Sequence, residues 1–406
     1  MSELSYLEKL LDGVEVEWRN LGDTSLFEIA NNGRKPVKAS LRIAGETPYY
    51  GANNIQDYVD GYTHDGEYVL IAEDGSASLE NYSIQYATGK FWANNHVHVV
   101  RGKERVHSRF LYHYLCIVNF LPFLTGGGRA KLTKGQLIEI PVPIPCPDNP
   151  EKSLAIQSEI VRILDKFTAL TAELTAELSM RKKQYNYYRD QLLSFKEGEV
   201  EWKTLGDVTK KWYSGGTPTA GKIEYYENGN IPWLRTQEVK FSEIDSTEIK
   251  ITQAALKNSS AKWIPRNCVI IAISGATAGR SAINKIPLTT NQHCGCLEID
   301  DTKALYRYVF HWVSFNYENI KSLGQGARGD LNSTIIKNFK LPIPHASDPQ
   351  KSLKEQARIV EILDKFDTLT NSITEGLPRE IELRQKQYEY YRDLLLSFPK
   401  PETVSN

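Results

Sequence analysis

The chain contains the same segment twice, and this repeat constrains its fold more than any other feature. The segment from Pro143 reads PIPCPDNPEKSLAIQSEIVRILDKF, and the segment from Pro342, 199 residues later, reads PIPHASDPQKSLKEQARIVEILDKF. A second block, RKKQYNYYRDQLLSF from Arg181, returns 203 residues later as RQKQYEYYRDLLLSF from Arg384. The second copy therefore has four more residues between its blocks. A repeat of this length predicts two halves built on the same supersecondary unit.

The repeat is also circular. The segment VEWRNLGDT from Val16 matches VEWKTLGDV from Val200, and YLEKLLDGVEVEW from Tyr6 is similar to YRDQLLSFKEGEVEW from Tyr188. Each unit thus contains a helix end, the VEW motif, a long variable segment, the PIP motif and a long helix. We therefore expect the chain to close on itself around a pseudo-two-fold axis.

The variable segments correspond more weakly. EYVLIAEDG from Glu67 matches NCVIIAISG from Asn267, ANNHVHVV matches TNQHCGCL, and GRAKLT lies opposite ARGDLN. The β-branched apolar runs predict strands, and the Gly- and Asn-rich stretches predict turns. Two domains that share a fold but differ in most side chains are typical of two readers of different objects. Drift after an old duplication would explain the same pattern.

A long helix is expected after each PIP motif. Asn149-Pro150 and Asp348-Pro349 each give an N-cap residue followed by proline at the first helical position. The apolar residues then follow coiled-coil spacing, at Ile160, Ile163, Phe167, Leu170 and Leu174 in the first copy and at Ile359, Ile362, Phe366, Leu369 and Ile373 in the second. We expect two helices of about 46 to 50 residues, each ~70 Å long, that pair in antiparallel orientation.

The two helical patterns differ in the middle. The word TAEL occurs twice in succession up to Leu178, and the second copy has two extra steps of four, at Leu377 and Ile381. Such insertions are stutters, which locally unwind a coiled coil. Gly376 and Pro378 predict a kink or break in the second copy. The tyrosines of YNYYRD and YEYYRD are expected to pack in the helical seam, with exposed members available to a partner subunit.

These features predict an α+β protein with two similar α/β domains separated by two long antiparallel coiled-coil helices. The predicted boundaries are residues 1–22 for an N-terminal helix end and linker that complete the circular repeat, 23–145 for the first domain, 146–197 for the central helical spacer, 198–344 for the second domain, and 345–406 for the C-terminal helical spacer and tail.

Composition narrows the class of protein. The net charge is −1, but residues 207–340 contain 17 Lys and Arg against 12 Asp and Glu, whereas residues 23–140 contain 12 of each. The basic second domain favours a nucleic-acid partner, although chance variation between solvated surfaces gives the same difference. No apolar run approaches the ~20 residues that span a membrane, no signal peptide is evident, and the five cysteines form no C-x-x-C pair. We expect a protein of the reducing cytoplasm without membrane contact.

The sequence lacks convincing motifs for catalysis. It has no P-loop, no G-x-G-x-x-G that opens a βαβ unit and no G-x-S-x-G serine turn, and GATAGRSA from Gly275 lacks the lysine and spacing of a phosphate loop. His96 and His98 have no nucleophile or third ligand nearby in the sequence, so we expect them to make structural or polar contacts. Cys294 and Cys296 follow His293 but lack a second ligand pair, which argues against a metal site. We expect neither catalysis nor a metal on this chain.

Together these features resemble the specificity subunit of a type I restriction–modification system, most closely its type IC branch. The resemblance covers nearly the whole chain and rests on the PIP-to-helix block, the helix QARIVEILDKFDTLT, the tandem TAEL and the segment GGTPTAGKIEYYENGNIPWLRT. It implies two target-recognition domains, each reading one half of a bipartite asymmetric site in double-stranded DNA. It also implies that the helices set the gap between the half-sites and dock two methyltransferase subunits.

The resemblance further implies which activities the partner subunits carry. The methyltransferase would use S-adenosylmethionine to methylate adenine N6, and restriction subunits would supply an ATP- and Mg-dependent endonuclease, so no cofactor is expected on this chain. The alternative is a standalone DNA methyltransferase. That enzyme needs a cofactor pocket and an (N/D/S)-P-P-(Y/F/W) motif, and the nearest segments, DNPEK and SDPQK, lie at helix starts and lack the aromatic residue.

DNA contacts are expected from polar residues in turns beside the predicted strands, because Arg, Lys, Asn and Gln contact phosphates and base edges. The first variable segment lacks the GTP-rich opening of the second and reads NNGRKPVKASLRIAGETPYYGANN, so family contacts carry over poorly there. In the first domain the candidates are Arg34, Lys38, Asn53, Asn54, Ser76, Asn94, Asn95, Arg129 and Lys131. In the second domain they are Thr217, Trp233, Arg235, Thr277, Arg280, Asn291, Gln292, Gln325 and Arg328.

The same resemblance implies that each TAEL repeat adds a fixed length to the helical spacer between the two domains. Four residues add ~6 Å of helix and ~400° of rotation, a full turn plus ~40°. One base pair adds ~3.4 Å and ~34–36°. We expect a four-residue insertion to move one domain along the groove and keep it facing the DNA, unless TAEL is only a helix-forming filler.

Overall fold

The computed structural model describes residue 10 and residues 13–126, 130–196, 198–326 and 329–399. The chain divides into two compact units. The first contains the residues up to Thr175 together with those from Glu380 onward, and the second contains Ala176–Arg379. The division at Thr175 falls inside the tandem TAEL segment. Each unit therefore combines one domain with parts of the long helices.

The domain of the first unit, domain 1, contains a large sheet, a small sheet and a separate two-stranded sheet of β-strands from its two ends. Its strands are β1 (Val16–Asn20), β2 (Phe27–Ile29), β3 (Ala44–Tyr50), β4 (Ile55–Val59), β5 (His64–Asp65), β6 (Tyr68–Ala72), β7 (Ile84–Ala87), β8 (Lys90–Ala93), β9 (Val97–Gly102) and β10 (Pro141–Pro145). Its helices are α1 (Ser108–Leu115), α2 (Lys134–Leu137) and the first part of α3 (Pro150–Leu192). The large sheet has the antiparallel order β2-β9-β6-β7, and the small sheet has the order β4-β3-β8-β5, with β3 and β8 parallel.

The domain of the second unit, domain 2, repeats this topology. Its strands are β11 (Val200–Thr204), β12 (Thr209–Ser214), β13 (Ile231–Leu234), β14 (Glu243–Ile244), β15 (Ile249–Ile251), β16 (Val269–Ala272), β17 (Ser281–Asn284), β18 (Thr289–Thr290), β19 (Cys294–Ile299) and β20 (Lys340–Pro344). Its helices are α4 (Gln253–Lys257), α5 (Tyr306–Phe315), α6 (Tyr317–Ser322), α7 (Ser333–Asn338) and α8 (Pro349–Asn371); α9 (Gly376–Leu395) lies mostly in the first unit. The sheets run β12-β19-β16-β17-β14 and β15-β13-β18; β13 and β18 are parallel, as β3 and β8 are, and the added edge strand β14 is parallel to β17. The predicted pair of similar domains is confirmed.

The repeated VEW and PIP motifs form strands that pair with each other. In domain 1, β1 and β10 are antiparallel, with Trp18 opposite Pro143. In domain 2, β11 and β20 have the same register, with Trp202 opposite Pro342. Each of these pairs therefore joins the start of a domain to its end. Residues 16–20, which the sequence assigned to an N-terminal linker, are thus paired with domain 1.

The large sheets supply the cores because their central strands are apolar on both faces, which is typical of strands covered on both sides. The strand β6 reads YVLIA and is buried throughout, as is β16, which reads VIIA. In the first unit, Phe110 and Leu111 of α1 and Ile160 of α3 pack into the same core. In the second unit, α5 and α8 occupy the corresponding places. Each long helix thus extends the core of the domain that precedes it.

The core of the first unit also includes residues from the far end of the chain. Leu395, Leu396 and Phe398 are buried against domain 1. The indole Nε1 of Trp18 donates a hydrogen bond to the carbonyl oxygen of Pro399 at 2.8 Å. Domain 1 is therefore completed by a segment more than 200 residues away from most of its core in the sequence.

The long helices begin as predicted. Asn149 Oδ1 accepts a hydrogen bond from the backbone N of Lys152 at 3.0 Å, and Asp348 Oδ1 accepts one from Lys351 N at 3.1 Å. In the first unit the Phe167 ring of α3 stacks on Tyr391 of α9 at 5.3 Å. In the second unit the end of α3 packs on α8. The predicted antiparallel helices are confirmed.

The second spacer is broken into two helices. The first ends at Asn371 and the next begins at Gly376, whose φ is +79°. A Cβ on Gly376 would lie 2.3 Å from the backbone oxygen of Thr368, so only glycine fits this close approach. The predicted break is confirmed, but the prediction of one helix of about 50 residues is wrong. Ile373 is 80% exposed because it lies in the connection and not in the helical seam, where we had placed it.

Each domain is joined to its long helix by the same polar contacts. Gln157 Oε1 accepts a hydrogen bond from His107 N at 2.8 Å, and Gln356 Oε1 accepts one from Leu305 N at 2.9 Å. Both glutamines are fully buried. An Arg–Asp–His cluster lies beside each one, formed by Arg109, Asp165 and His113 in the first unit and by Arg307, Asp364 and His311 in the second. This repeated contact, which we call the domain–helix joint, fixes the direction in which the helix leaves the domain.

Candidate nucleic-acid interface

Three loops of domain 1 meet at one end of the large sheet, after β6, before β9 and before α2. The backbone N of Leu132 donates to Glu73 O at 2.8 Å, and Glu73 N donates to His96 O at 2.8 Å. Asp74 and Lys131 form an antiparallel bridge. We call residues 73–83, 94–96, 124–126 and 130–132 the loop cluster of domain 1. Backbone hydrogen bonds therefore hold together three stretches that the sequence proposed for DNA contact.

A carboxylate at the centre of this cluster binds two of the predicted DNA-contacting cations. Glu73 lies 2.6 Å from Arg34 Nη1 and 3.0 Å from Lys131 Nζ. Burial opposes the ionised form of Glu73, but hydrogen bonds from these two cations outweigh it and hold the pKa of Glu73 below its usual value. Arg34 Nη1 also donates to the backbone oxygen of Val97 at 2.9 Å. The positive charge of Arg34 is thus paired with a carboxylate of the protein itself.

His98 lies beneath the same cluster and is fully buried. Its Nδ1 accepts from the amide of Asn31 at 2.9 Å, and its Nε2 donates to Leu132 O at 2.7 Å. Burial lowers the pKa of His98, which favours the neutral ring that this pattern requires. The structural role expected for His98 fits this geometry. His96, on the loop, lies 2.5 Å from the Asp74 carboxylate.

Domain 2 forms the same cluster from residues 273–280, 291–293, 324–326 and 329–331. Leu331 N donates to Ile273 O at 2.7 Å, and Ile273 N donates to His293 O at 2.9 Å. These bonds match those of domain 1 one for one. The side chains differ, since Ser274 stands where domain 1 has Asp74 and contacts His293 at 2.6 Å. The half-buried Arg280 and the exposed Gln325 border this cluster.

A shared turn shapes the middle loop of both clusters. Asn94 Oδ1 accepts from His96 N at 2.8 Å, and Asn291 Oδ1 accepts from His293 N at 3.0 Å. Both asparagines are buried. Side chains that bond to the backbone two residues ahead are typical of Asx turns. These asparagines therefore shape the turn, and the exposed residue between each pair, Asn95 or Gln292, is presented to solvent.

The structure divides the predicted DNA-contacting residues into three groups. Exposed or half-buried on the surface are Lys38, Asn54, Asn95, Thr217, Thr277, Arg280, Gln292 and Gln325; of these, Thr217 Oγ1 donates to Gln292 Oε1 at 2.7 Å. Occupied by contacts within the protein are Arg34, Asn53, Ser76, Asn94, Lys131, Trp233, Arg235 and Asn291. Arg129 and Arg328 lie outside the described residues.

Three members of the occupied group show how contacts within the protein engage these side chains. The Trp233 indole is only 5% exposed and donates to Gly216 O at 3.1 Å, so it belongs to the core of the small sheet. Arg235 Nη2 lies 2.5 Å from Glu248, and Asn53 bridges to the backbone of Gly75 at 2.8 Å. Each of these side chains is thus engaged by another part of the protein.

One surface cluster in domain 2 was missed in the sequence. Phe241 has a φ of +58°, a conformation that a bulky residue seldom adopts. Its ring packs edge-on against Tyr317 at 5.2 Å, and Lys321 Nζ lies 5.2 Å from the centre of the Tyr317 ring. Gly279, in the loop cluster, packs against the Tyr317 ring as well. These residues form an aromatic–basic cluster that extends the loop cluster. It is visible only in the three-dimensional structure, because Phe241, Gly279 and Tyr317 are far apart in the sequence.

The cysteines near His293 are internal. Cys294 and Cys296 are fully buried, and burial raises the pKa of the Cys294 thiol to about 12. In the part of the chain that the structure describes, no group of three His, Cys, Asp or Glu side chains is placed to hold a metal ion. Among the same residues, none of the helices combines the length and apolar character needed to cross a membrane.

Comparison with known proteins agrees with this architecture. The family model for the type I restriction modification DNA specificity domain matches residues 14–180 and 197–383. A specificity subunit of an Escherichia coli type I restriction enzyme is 46% identical, covering 100% of both chains. A putative type I restriction enzyme specificity subunit of Haemophilus influenzae is 47% identical over 97% of this chain and 98% of that protein.

A solved structure shows the same fold. The crystal structure of a type I restriction–modification system S subunit from M. genitalium has a TM-score of 0.65 and 15% identity, covering 96% of this chain and 98% of that one. The family model accounts for both domains and much of the long helices. On these grounds the chain belongs to the type I restriction–modification DNA specificity family.

Proposed function

We propose that this chain is the non-catalytic DNA sequence-specificity subunit of a type I restriction–modification complex. Domain 1 reads one half of a bipartite asymmetric site in double-stranded DNA, and domain 2 reads the other half. The observation that carries the proposal is the loop cluster, which is built twice on the same backbone hydrogen bonds with different side chains. Asn95 and Lys131 correspond to Gln292 and Asp330. Because base pairs differ in their donor and acceptor patterns, two such surfaces read different sequences.

The helices are proposed to set the gap between the half-sites and to dock two copies of the methyltransferase subunit. Two equivalent exposed apolar pairs support this. Met180 and Tyr187 on α3 are 56% and 61% exposed, and Leu383 and Tyr390 on α9 are 38% and 55% exposed. Residues seven apart lie on one helix face, so each pair forms a stripe. A surface that occurs twice, at matching positions of the repeat, suits two copies of the same partner.

The chemistry is assigned to the partners. The methyltransferase copies would bind S-adenosylmethionine and methylate adenine N6, and restriction subunits would use ATP and Mg for cleavage, in a cytoplasmic complex. This chain would bind none of these cofactors. Its own contribution is DNA sequence recognition, the spacing between the half-sites and the assembly of the subunits.

The proposal is tested by reconstitution. We expect the purified chain to show neither DNA methylation nor binding of S-adenosylmethionine, and to direct methylation of one bipartite motif once two methyltransferase copies are added. Sequencing of methylated adenines in cells that carry both subunits gives the motif. Methylation by the chain alone would contradict the proposal and favour a standalone methyltransferase.

A domain exchange tests whether the two halves are read independently. Replacing residues 23–140 with the corresponding domain of another family member should change one half of the motif and leave the other half and the gap unchanged. The matched control exchanges domain 2. A change in both halves from either single exchange would show that the domains do not read separately.

A further inference from the structure

An unusual basic arm connects β2 and β3 in domain 1. Residues 30–43 contain four cations and no carboxylate. The arm starts beside the loop cluster, where Arg34 pairs with Glu73 at 2.6 Å, and at the end of β8, where Lys35 N donates to Ala93 O at 3.0 Å and the Trp92 indole donates to Lys35 O at 2.7 Å. The arm is therefore continuous with the surface proposed to contact DNA.

The middle of the arm is held in one conformation by an arginine and a tyrosine. The Arg42 guanidinium lies 4.1 Å from the centre of the Tyr49 ring, and its Nε donates to Val37 O at 3.2 Å. Tyr49 is 1% exposed, and its hydroxyl accepts from Val37 N at 3.0 Å. Arg42 also pairs with Asp57 at 3.4 Å. The charge of Arg42 is thus used to fix the arm.

This rigid support holds two aliphatic side chains in solvent. Leu41 and Ile43, on either side of Arg42, are 69% and 71% exposed. The arm is also fixed after them, because Ile43 O accepts from Asp60 N at 2.8 Å, and Gly45 packs so closely on Val59 that a Cβ would lie 2.5 Å from its backbone. Aliphatic surface that stays in water is less favourable than buried aliphatic surface by a free energy of roughly 25 cal/mol per Å². A scaffold that prevents its burial indicates a binding partner.

Domain 2 also exposes an aliphatic side chain in the same connection, although Glu224 and Glu227 lie beside it there. The segment between β12 and β13 corresponds to the arm, since β12 pairs with β19 as β2 pairs with β9. It contains a short 3-10 helix, Ile223–Tyr225, in which Ile223 is 71% exposed and follows Lys222. The arm of domain 1 has a 3-10 helix as well, Ala39–Leu41. The two domains thus present an aliphatic side chain from the same place in the fold.

We propose that Leu41 and Ile43 form an apolar wedge that inserts at a base step within the half-site read by domain 1. This inference rests on the proposed function. DNA is the favoured occupant because Lys35 and Lys38 of the arm are exposed and, unlike Arg34 and Arg42, form no ion pair with a carboxylate among the residues that the structure describes, which suits a phosphate-lined groove. Leu and Ile are among the side chains that proteins insert between base pairs, where they unstack and kink the duplex.

The test uses the complex of the full chain with its methyltransferase partner and a duplex containing the mapped motif. 2-Aminopurine is placed at successive positions of the half-site read by domain 1, because its fluorescence rises when a base is unstacked. We expect an increase at one step with the wild-type complex. We expect the increase to disappear in the Leu41→Ala/Ile43→Ala double variant, together with a loss of affinity for the motif of about tenfold. The loss should be similar at low and high salt, because no charge is removed.

Two further variants control this experiment. Ile373→Ala removes an aliphatic side chain that is 80% exposed and lies far from the arm in the sequence, and it should change neither signal. Leu41→Met/Ile43→Met keeps an apolar wedge and should restore most of the fluorescence increase. Because the replaced side chains are exposed, all variants should melt at the wild-type temperature.

Three results would overturn the inference. An unchanged fluorescence increase and affinity in the alanine variant, with normal methylation by the wild-type complex, would reject the wedge and leave the proposed function intact. Loss of methyltransferase assembly in that variant would show that the arm docks a protein. Failure of the wild-type complex to select any motif would reject the proposed function itself.

Discussion

The domain–helix joint should control the stability of each unit, and Gln157→Leu tests this most directly. Leucine has nearly the same volume as glutamine, so the change removes hydrogen bonds without opening a large cavity. The lost bonds are those with His107 N at 2.8 Å, Arg105 O at 3.2 Å and Ser153 Oγ at 3.0 Å. Gln157 is fully buried, so water cannot take its place at the joint.

The magnitude follows from the groups left without a partner. An unsatisfied buried donor or acceptor costs about 1–3 kcal/mol, and at least the Ser153 hydroxyl lies in this environment, at 2% exposure. We expect the free energy of unfolding of the first unit to fall by about 2 kcal/mol. For a unit of roughly 200 residues this lowers Tm by about 4–8 °C. Gln356→Leu should have the same effect on the second unit.

Thermal melting and amide hydrogen exchange together measure this effect. Exchange should accelerate at the start of α1 in Gln157→Leu and at the start of α5 in Gln356→Leu. Ser158→Ala, at an exposed neighbouring position of α3, is the control and should change stability by less than about 0.5 kcal/mol. Melting of both leucine variants within about 1 °C of the wild type would refute the idea that these glutamines hold the joint.

Three further outcomes are expected. Insertion of a third TAEL after Leu178 should lengthen the gap between the half-sites by one base pair and leave both half-sites unchanged. Sequencing of methylated adenines measures this gap. An unchanged gap with full activity would contradict the proposal that the helices set the spacing. Burial lowers the pKa of His98 and His113, so the unfolded chain binds more protons than the folded chain below about pH 6.5. The first unit should therefore keep its full stability above that pH and lose stability as the pH falls below it, as measured by urea unfolding. Unfolding that does not depend on pH between about pH 5 and 7 would contradict this. Lys321→Ala should weaken binding to all DNA sequences alike and lower the salt slope by about one, whereas an unchanged slope would remove the aromatic–basic cluster from the interface.

The architecture could be predicted because sequence repeats and the periodicity of apolar residues determine it. Strands such as YVLIA and VIIA are read from apolar runs, and the start of each long helix is read from Asn-Pro or Asp-Pro. The break near Gly376 was also visible, since glycine and proline lie close together there. The exposure of Ile373 was not, because heptad spacing continues through the connection although the helix does not.

The individual contacts were less predictable because they depend on which side chains meet in space. Asn94 and Asn291 lie in polar turns, but their side chains bond to the backbone within the turn. Arg34 is basic, but its partner Glu73 is 39 residues away in the sequence. Phe241 belongs to a surface cluster only through its contact with Tyr317. Local composition therefore indicates the loops correctly and does not indicate which of their residues are free.

The discontinuous first unit has a consequence for the order in which the protein is made. The second unit is one continuous stretch, Ala176–Arg379, whereas the first needs residues from Glu380 onward. On the ribosome, domain 1 emerges first but lacks Leu395, Leu396 and Phe398 for its core until synthesis is nearly finished. Its apolar docking site for these side chains stays open while domain 2 is translated, and exposed surface of this kind is prone to aggregate. The domain that is synthesised first is thus the last to be completed, and the second unit can close before it.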